Sequence, residues 1–132
     1  MIDAGCNLAS RQLSRDQARI FARATDAGVD GVVSFCTDFD RVTELMETVR
    51  AYPHQLYAVI GLHPDNVKRG INDKMIALRL QELKALALTP ECVAIYCGLD
   101  LSRDISSHYQ QEKLLEGQWS IAVSLSEEVV MT

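Results

Sequence analysis

The stretch Leu56-Tyr-Ala-Val-Ile-Gly-Leu-His-Pro-Asp65 decides how this sequence is interpreted, because an apolar run ends there at a histidine followed by a proline. The run is too short for an ordinary helix and is typical of a strand that is buried on both faces of a parallel sheet. Gly61 allows a second backbone to come close to the end of the strand. Pro64 restricts His63 to extended geometry. His63 is therefore predicted where a parallel strand passes into its loop, which is where α/β proteins carry functional residues.

Strand and helix signals alternate along the chain. Short apolar runs predict strands at 1–8, 31–36, 56–62, 92–97 and 127–132. Helices are predicted between them, with Gly28 as a left-handed C-cap of the first helix and with N-terminal caps at Ser14, at Thr37 or Asp38, at Asp73 and at Ser107. Four strand–helix units and a final strand require a parallel sheet with right-handed crossovers. The fold class is α/β, in one domain that spans 1–132 without a linker.

Apolar residues at helical spacing predict which helix faces are buried. The predicted buried residues are Ala18, Phe21, Ala22 and Thr25 in the first helix, Val42, Leu45, Met46 and Val49 in the second, Ile76, Leu80, Leu83 and Ala87 in the third, and Trp119 in the fourth.

Composition limits the classes of function. The 132 residues are 48% apolar and 23% charged, as in a globular protein with a real core. A net charge of −5 argues against a broad basic surface for nucleic acid. No apolar run approaches the roughly 20 residues that span a bilayer, and Met1-Ile-Asp enters a strand at once, so we expect no signal peptide. The four cysteines lack zinc spacing, and we expect reduced thiols in a cytoplasmic protein.

Polar residues collect where the predicted strands end, and these positions share one edge of a parallel sheet. They are Asn7, Thr37, His63, Asp65, Tyr96, Asp100, Arg103 and Thr132. His63, Asp65 and Asp100 could hold one divalent metal ion weakly. Arg103 could bind a phosphate, with Asn7 as a further substrate contact. Two alternatives stay open: His63 only forms a hydrogen bond within its loop, and Asp100 only pairs with Arg103.

The chain resembles the amino-terminal half of the TatD family of metal-dependent deoxyribonucleases. The resemblance runs nearly end to end and depends most on Gly61-Leu-His-Pro64 and on Cys97-Gly-Leu-Asp100 with Arg103, which is similar to the family's G-E-x-G-L-D signature and its trailing arginine. Weaker similarity covers Ile2–Leu8, Ala27–Gly31, Arg50–Pro53 and the fourth helix at Gln111, Leu115, Gln118, Ala122 and Leu125. The resemblance implies part of a (β/α)₈ barrel, about four and a half β/α units here.

The resemblance also implies phosphodiester hydrolysis with one or two divalent metal ions, Mg²⁺ or Mn²⁺, and DNA as the substrate. The sequence departs from the family at most ligand positions. The family's His-x-His falls on Gly5 and Asn7, its signature glutamate on Tyr96, and its strand-five histidine on Thr132. We therefore expect a truncated homologue without catalytic activity of its own.

Two other functions stay open at this point. One is a phosphodiesterase that is completed by a second copy or by a complementing half-barrel. The other is a small doubly wound module that binds an anionic ligand at the strand ends. In either case the apolar inner face, at Val33, Val59 and Ile95, is expected to be poorly covered, and the unpaired sheet edges favour a homodimer.

Overall fold

A computed structural model describes residues 1–67, 70–102, 108–125 and, through the backbone, 130–131. The predicted features at Arg103, Ser107 and Thr132 lie outside these residues. The strands and helices are β1 (Ile2–Cys6), α1 (Gln17–Asp26), β2 (Gly31–Phe35), α2 (Val42–Ala51), β3 (Leu56–Ile60), α3 (Asp73–Ala87), β4 (Cys92–Ile95), α4 (His108–Ser124) and β5 (Val130–Met131), with short 3₁₀ turns at Phe39–Arg41 and Pro64–Asn66.

The five strands form one sheet in which every neighbouring pair is parallel. Their spatial order is their order along the chain, β1-β2-β3-β4-β5. The predicted α/β fold with a parallel sheet is confirmed. A doubly wound sheet reverses its strand order at a switch point, and no reversal occurs among these strands, so the doubly wound alternative is wrong.

The core lies between the sheet and the helices. Along β3, Leu56, Ala58 and Ile60 are buried, whereas Tyr57 is 37% exposed. The predicted apolar stripes of α2 and α3 are confirmed, with Leu80 partly exposed. On the other face of the sheet Val33 and Val59 are only partly covered, as predicted.

Ile95 was predicted on that poorly covered face, and this prediction is wrong because Ile95 is fully buried. The β3–β4 register shifts between Ala58 and Val59 and then pairs Ile60 with Ile95. Ile95 therefore shares the helix-covered side with Ile60. A register shift of this kind depends on the partner strand and leaves no mark in the periodicity of β4.

Two of the predicted helix caps are wrong. Ser14 makes no cap, since α1 starts after Asp16 without a side-chain hydrogen bond. The cap of α3 is Asn72 rather than Asp73, and its side chain accepts a hydrogen bond from the Met75 backbone N–H. Asp38 does cap, as one of the two predicted candidates, but for the 3₁₀ turn that precedes α2.

The predicted faces of α1 and α4 are also wrong in part. In α1 only Phe21 of the predicted face is buried, while Ala18, Ala22 and Thr25 are exposed. In α4 the predicted core residue Trp119 is 58% exposed. In α4 the inward positions include Gln111 and Gln118, each 1% exposed, and an apolar pattern cannot reveal a polar residue that is buried by its hydrogen bonds.

Candidate functional site

His63 sits at the carboxyl end of β3, as the sequence predicts, and caps the turn Pro64–Asn66. Its Nδ1 accepts a hydrogen bond from the Asp65 backbone N–H at 3.1 Å. That bond requires an Nδ1 without a proton, so the neutral ring carries its proton on Nε2. The Asp65 carboxylate, whose Oδ2 lies 3.4 Å from Nδ1, is placed to pair with the ring when the ring is protonated. The local structure of His63 is thus a turn cap with an adjacent carboxylate.

Tyr96 follows β4 at the carboxyl edge of the sheet, which we call the strand-end rim. Its ring lies against the His63 ring, with centroids 6.0 Å apart and planes 28° apart, and 6.5 Å from the Phe35 ring. Burial, together with the nearby Asp65, Cys36 and Cys97, raises the pKa of the Tyr96 phenol to about 12. Tyr96 is therefore a neutral aromatic group at physiological pH.

The backbone of Tyr96 explains why Gly61 is a glycine. A Cβ added to Gly61 would lie 1.7 Å from the Tyr96 carbonyl oxygen. The Tyr96 N–H donates to the Ile60 carbonyl at 2.9 Å, which extends the β3–β4 pairing into the loop. The close approach that was expected at Gly61 is confirmed, and it brings Tyr96 beside His63.

Asp100 lies in the loop after β4, and its side chain organises that loop. Its Oδ1 accepts hydrogen bonds from the backbone N–H and the hydroxyl of Ser102, at 3.1 and 2.6 Å. The Gln111 side chain of α4 accepts a hydrogen bond from the Asp100 backbone N–H at 2.9 Å and donates one to the Asp100 carbonyl at 3.0 Å. The loop after β4 is therefore fixed from two directions.

The first strand supplies two further positions of interest. Gly5 offers no side chain, and a Cβ added there would meet no atom within 4 Å. Asn7 follows β1, and its Oδ1 is buried without a hydrogen-bond partner. An unpaired buried oxygen is unusual in a folded protein, so Asn7 stays a candidate contact for a bound group.

Carboxamide side chains hold each of the first four strand-end loops. Gln118 clamps the backbone of Leu62 from both sides, accepting from its N–H at 2.7 Å and donating to its carbonyl at 3.2 Å. The Asn66 side chain holds the loop after β2 at two residues: it accepts a hydrogen bond from the Phe39 N–H and donates one to the Thr37 carbonyl. Gln17 donates to the Leu8 carbonyl in the loop after β1.

Sequence reasoning missed these clamps. Gln111 and Gln118 are each 1% exposed, and they lie seven residues apart, on the same face of α4 as Leu114 and Ile121. Two glutamines at that spacing within an apolar stripe were the available signal, because a buried carboxamide needs partners for both its donor and its acceptor.

A cleft of about 790 Å³ opens beside the rim, between the turn Phe39–Arg41 and α3, and Thr37 and Asp65 are among its lining residues. Arg79 is the only cation that lines it in the described part of the chain. Its guanidinium binds Asp40 at 2.6 Å and Glu82 at 3.2 Å and lies over the Phe39 ring. This cation is already neutralised by its own neighbours.

The donor groups at the rim fit a divalent metal ion poorly. His63 uses Nδ1 in its turn, Tyr96 is a neutral phenol, and Gly5 provides no donor. Burial raises the pKa of Cys6, Cys36 and Cys97, so these thiols are protonated at neutral pH. No group of three potential ligands among His, Cys, Asp and Glu occurs within the described residues. The assignment of His63, Asp65 and Asp100 as metal ligands stays a prediction.

The sheet order, with every strand parallel to its neighbour in sequence, is that of a segment of a (β/α) barrel. Two solved structures match its backbone. A TatD homologue from Escherichia coli K12 matches with a TM-score of 0.76 and 25% identity, over 99% of this chain and 49% of the other. An amidohydrolase from Saccharomyces cerevisiae matches with a TM-score of 0.78 over 98% of this chain and 47% of the other; at 22% identity, it supports the fold alone.

The sequence comparisons identify the family. The TatD related DNase family matches residues 2–131. The 3′-5′ ssDNA/RNA exonuclease TatD of Edwardsiella piscicida is 33% identical over 99% of this chain, and that of Salmonella typhimurium is 34% identical over 99%. This chain belongs to the TatD related DNase family, whose members depend on metal ions. It spans about half the length of the curated relatives it matches, 49% and 48% for these two.

None of the helices in the described residues is long and apolar enough to cross a bilayer.

Proposed function

We propose that this chain by itself is a TatD-family half-barrel without nuclease activity. One observation carries the proposal: the Tyr96 ring lies against the His63 ring at the carboxyl ends of the strands, and the Nδ1 of His63 is engaged in its own turn. A neutral phenol takes the position where the family resemblance places a carboxylate ligand. Within the described residues, the strand ends carry no group of three His, Cys, Asp or Glu side chains that could hold a cation.

The chemistry of the family explains why this arrangement is inactive. Metal-dependent hydrolysis needs a metal-bound water of lowered pKa, and a catalytic metal is held by about three protein ligands. Mg²⁺ in particular gives up its hydration shell reluctantly. The net charge of −5 further disfavours a phosphate backbone.

The direct test is digestion of fluorescently labelled single-stranded DNA and RNA with Mg²⁺ or Mn²⁺. We expect no cleavage above that of a His63→Ala variant purified in the same way. Cleavage by the unaltered chain that both a chelator and His63→Ala abolish would refute the proposal.

A gain of binding provides a second test. Tyr96→Glu places a carboxylate near His63 and Asp65, and we expect Mn²⁺ affinity, measured by calorimetry, to rise at least about tenfold over the unaltered chain. Tyr96→Gln is the matched control, because it changes shape similarly without adding charge. Equal Mn²⁺ affinities for the two variants would show that the missing carboxylate is not what limits metal binding.

A second candidate function is hydrolysis of a nucleic-acid phosphodiester by this chain together with a second copy or a complementing half-barrel. It is favoured by the curated relatives, which are named exonucleases and are about twice as long. Cleavage that rises with the square of the chain concentration would support this candidate. Activity on DNA that stays absent at every concentration would reject completion by a second copy.

We further propose that the chain works in the cytoplasm. All four cysteines are free thiols, and two of them, Cys36 and Cys92, are buried. Free buried thiols are typical of reducing compartments. Recovery of the protein in a periplasmic or secreted fraction would contradict this location.

A further inference from the structure

The His63 ring offers one nitrogen to a ligand, and that nitrogen always carries a proton. Because Nδ1 accepts a hydrogen bond from the Asp65 backbone N–H at 3.1 Å, the neutral ring holds its proton on Nε2. A second proton would go to Nδ1, 3.4 Å from the Asp65 carboxylate, and Nε2 would keep its own. Nε2 is therefore a hydrogen-bond donor in both states of the ring. A nitrogen that binds a metal ion must give up its proton, so this geometry favours an acceptor at Nε2 over a cation.

The hydroxyl of Tyr96 is a second donor beside the first. A phenol is protonated at neutral pH, and the Tyr96 ring lies against the His63 ring with centroids 6.0 Å apart. Neither the Tyr96 hydroxyl nor the His63 Nε2 forms a hydrogen bond with another of the described residues, and both side chains are only partly buried. An ionised carboxylate only accepts hydrogen bonds. A tyrosine at the position where the family resemblance places a carboxylate thus provides a donor instead.

Both side chains stand on backbone that is held in place. Gln118 accepts a hydrogen bond from the N–H of Leu62, the residue before His63, and donates one to its carbonyl. The Tyr96 carbonyl packs so closely on Gly61 that an added Cβ would lie 1.7 Å from its oxygen. Donors on fixed backbone lose little freedom when a ligand binds, which favours affinity.

The two donors do not lie at an edge of the sheet. His63 follows β3 and Tyr96 follows β4, and each of these strands has a neighbouring strand on both sides. The contacts that bring the two rings together all lie within the described residues. The arrangement of the donors therefore does not depend on where the chain begins or ends.

A tetrahedral oxyanion is the ligand that suits two donors on neighbouring rings. It carries several acceptor oxygens on one central atom, so the donors need not point at a single oxygen. Hydrogen bonds to an ionised acceptor are also roughly twice as strong as those between neutral groups. The Asp65 carboxylate is directed to the Nδ1 side of the His63 ring, so it does not occupy the donor at Nε2.

We propose that His63 and Tyr96 form a binding site for a phosphate group, free or as an ester, in which the Nε2–H of His63 and the hydroxyl of Tyr96 donate to its oxygens. Such a site rests on the proposed function in one respect, because a metal ion at Nε2 would exclude the donor. It goes beyond that function by giving Tyr96 a contact with a ligand.

Nitrogen-15 NMR of the labelled chain, treated with a chelator, tests this site directly. At mildly alkaline pH, where the ring is neutral, we expect the His63 proton on Nε2. The Nε2 signal should shift and saturate as inorganic phosphate is added at constant ionic strength. His54, which precedes β3, and His108, which begins α4, are controls in the same spectrum. An equal response of all three histidines, or no saturable response at His63, would overturn the proposal.

Removal of one hydroxyl tests the contribution of Tyr96. Tyr96→Phe keeps the ring, and we expect it to raise the dissociation constant for phosphate at least about tenfold. Tyr57→Phe is the matched control, because Tyr57 is 37% exposed and lies near the amino-terminal end of β3. Equal dissociation constants for the two variants would reject the hydroxyl as a contact.

His63→Asn tests the other donor while preserving the turn. The asparagine Oδ1 is a good acceptor at a capping position, so it can replace Nδ1 toward the Asp65 N–H, whereas the donor at Nε2 is lost. We expect a rise of at least about tenfold in the dissociation constant for phosphate, with circular dichroism verifying the fold. Unchanged affinity in the folded variant would overturn the proposal.

Manganese separates a failure of this site from a failure of the proposed function. Mn²⁺ is paramagnetic and broadens the signals of nuclei beside it, and we expect a stoichiometric amount to leave the His63 Nε2 signal sharp. Broadening confined to His63 would place a metal ion at Nε2 and overturn both proposals. A sharp signal without any response to phosphate would overturn this site alone.

Methyl phosphate, titrated in parallel, distinguishes the two sources of the phosphate group. Tighter binding of methyl phosphate assigns an ester, and tighter binding of inorganic phosphate assigns the free ion. Either result supports the two donors, provided that Tyr96→Phe weakens the binding. Binding of either compound that Tyr96→Phe and His63→Asn leave unchanged would refute the assigned site.

Discussion

Replacing Gly61 by alanine should destabilise the protein strongly, because the β3 backbone and the Tyr96 carbonyl touch at this position. The added Cβ would lie 1.7 Å from the Tyr96 oxygen, whereas a carbon and a carbonyl oxygen in contact are roughly 3.3 Å apart. The two backbones must therefore separate by about 1.6 Å. Backbone cannot move aside as the end of a flexible side chain can.

The cost follows from what that separation disrupts. Overpacking costs about 1–3 kcal/mol, and the Tyr96 N–H to Ile60 carbonyl hydrogen bond at 2.9 Å, if lost, costs about 0.5–1.5 kcal/mol more. Alanine returns about 0.4–1 kcal/mol by restricting the unfolded chain. Together these ranges give a net loss of about 0.5–4 kcal/mol in the free energy of unfolding, with about 2 kcal/mol at their middle, a large share of the 5–15 kcal/mol typical of a domain.

Urea unfolding followed by circular dichroism measures this loss. Gly98→Ala is the control, since a Cβ there meets no atom within 4 Å, and its effect should stay within about 0.5 kcal/mol. A Gly61→Ala variant that loses no more stability than Gly98→Ala would refute the reasoning, because it would mean that the close approach to Tyr96 is relieved at almost no cost.

Three further predictions concern the same architecture. Burial raises the pKa of the Tyr96 phenol to about 12, from an ordinary value of 10.0. The unfolded chain therefore loses this proton first, and the free energy of unfolding should fall as pH rises from about 10 to 12. Urea titrations of Tyr96→Phe should show a smaller fall over this pH range, and an unchanged fall would contradict the prediction. Gln118→Leu leaves the Leu62 N–H and carbonyl buried and unpaired, so the free energy of unfolding should fall by about 2–4 kcal/mol. Amide exchange at Leu62 should become faster. A variant as stable as the unaltered chain would show that solvent replaces the Gln118 hydrogen bonds. Asn72→Ala removes the α3 cap and should cost about 1 kcal/mol by the same unfolding assay, and an unchanged free energy of unfolding would contradict this prediction.

The alternation of strands and helices was readable from the sequence because it rests on local signals. Apolar runs bounded by turn residues gave the strands, and the left-handed Gly28, with φ of +83°, ends α1 as predicted. The place of His63 at the end of β3 followed from its proline and from the parallel sheet. These features depend on residues that are close together in the chain.

The predictions that failed depend on partners that are distant in the chain. Gln111 and Gln118 face inward in α4, where their carboxamides bond the backbone of Asp100 and Leu62, and Trp119 lies exposed on the same helix. Ile95 is buried because of the register that β4 takes against β3. Hydrogen bonds between residues far apart in sequence have no period and cannot be read from one helix.

By itself, the sequence determined the order of the elements, the parallel sheet and the edge at which His63, Asp65, Tyr96 and Asp100 follow their strands, because strand direction fixes where strand ends lie. Tertiary structure decided what those residues do there. Tyr96 packs on His63 because the Tyr96 carbonyl fits against the bare backbone of Gly61. The Nδ1 of His63 is engaged in its own turn because the Asp65 N–H points at it. The contacts of Tyr96 with Gly61 and His63 join separate strand-end loops, at distances of a few ångström that only packing sets.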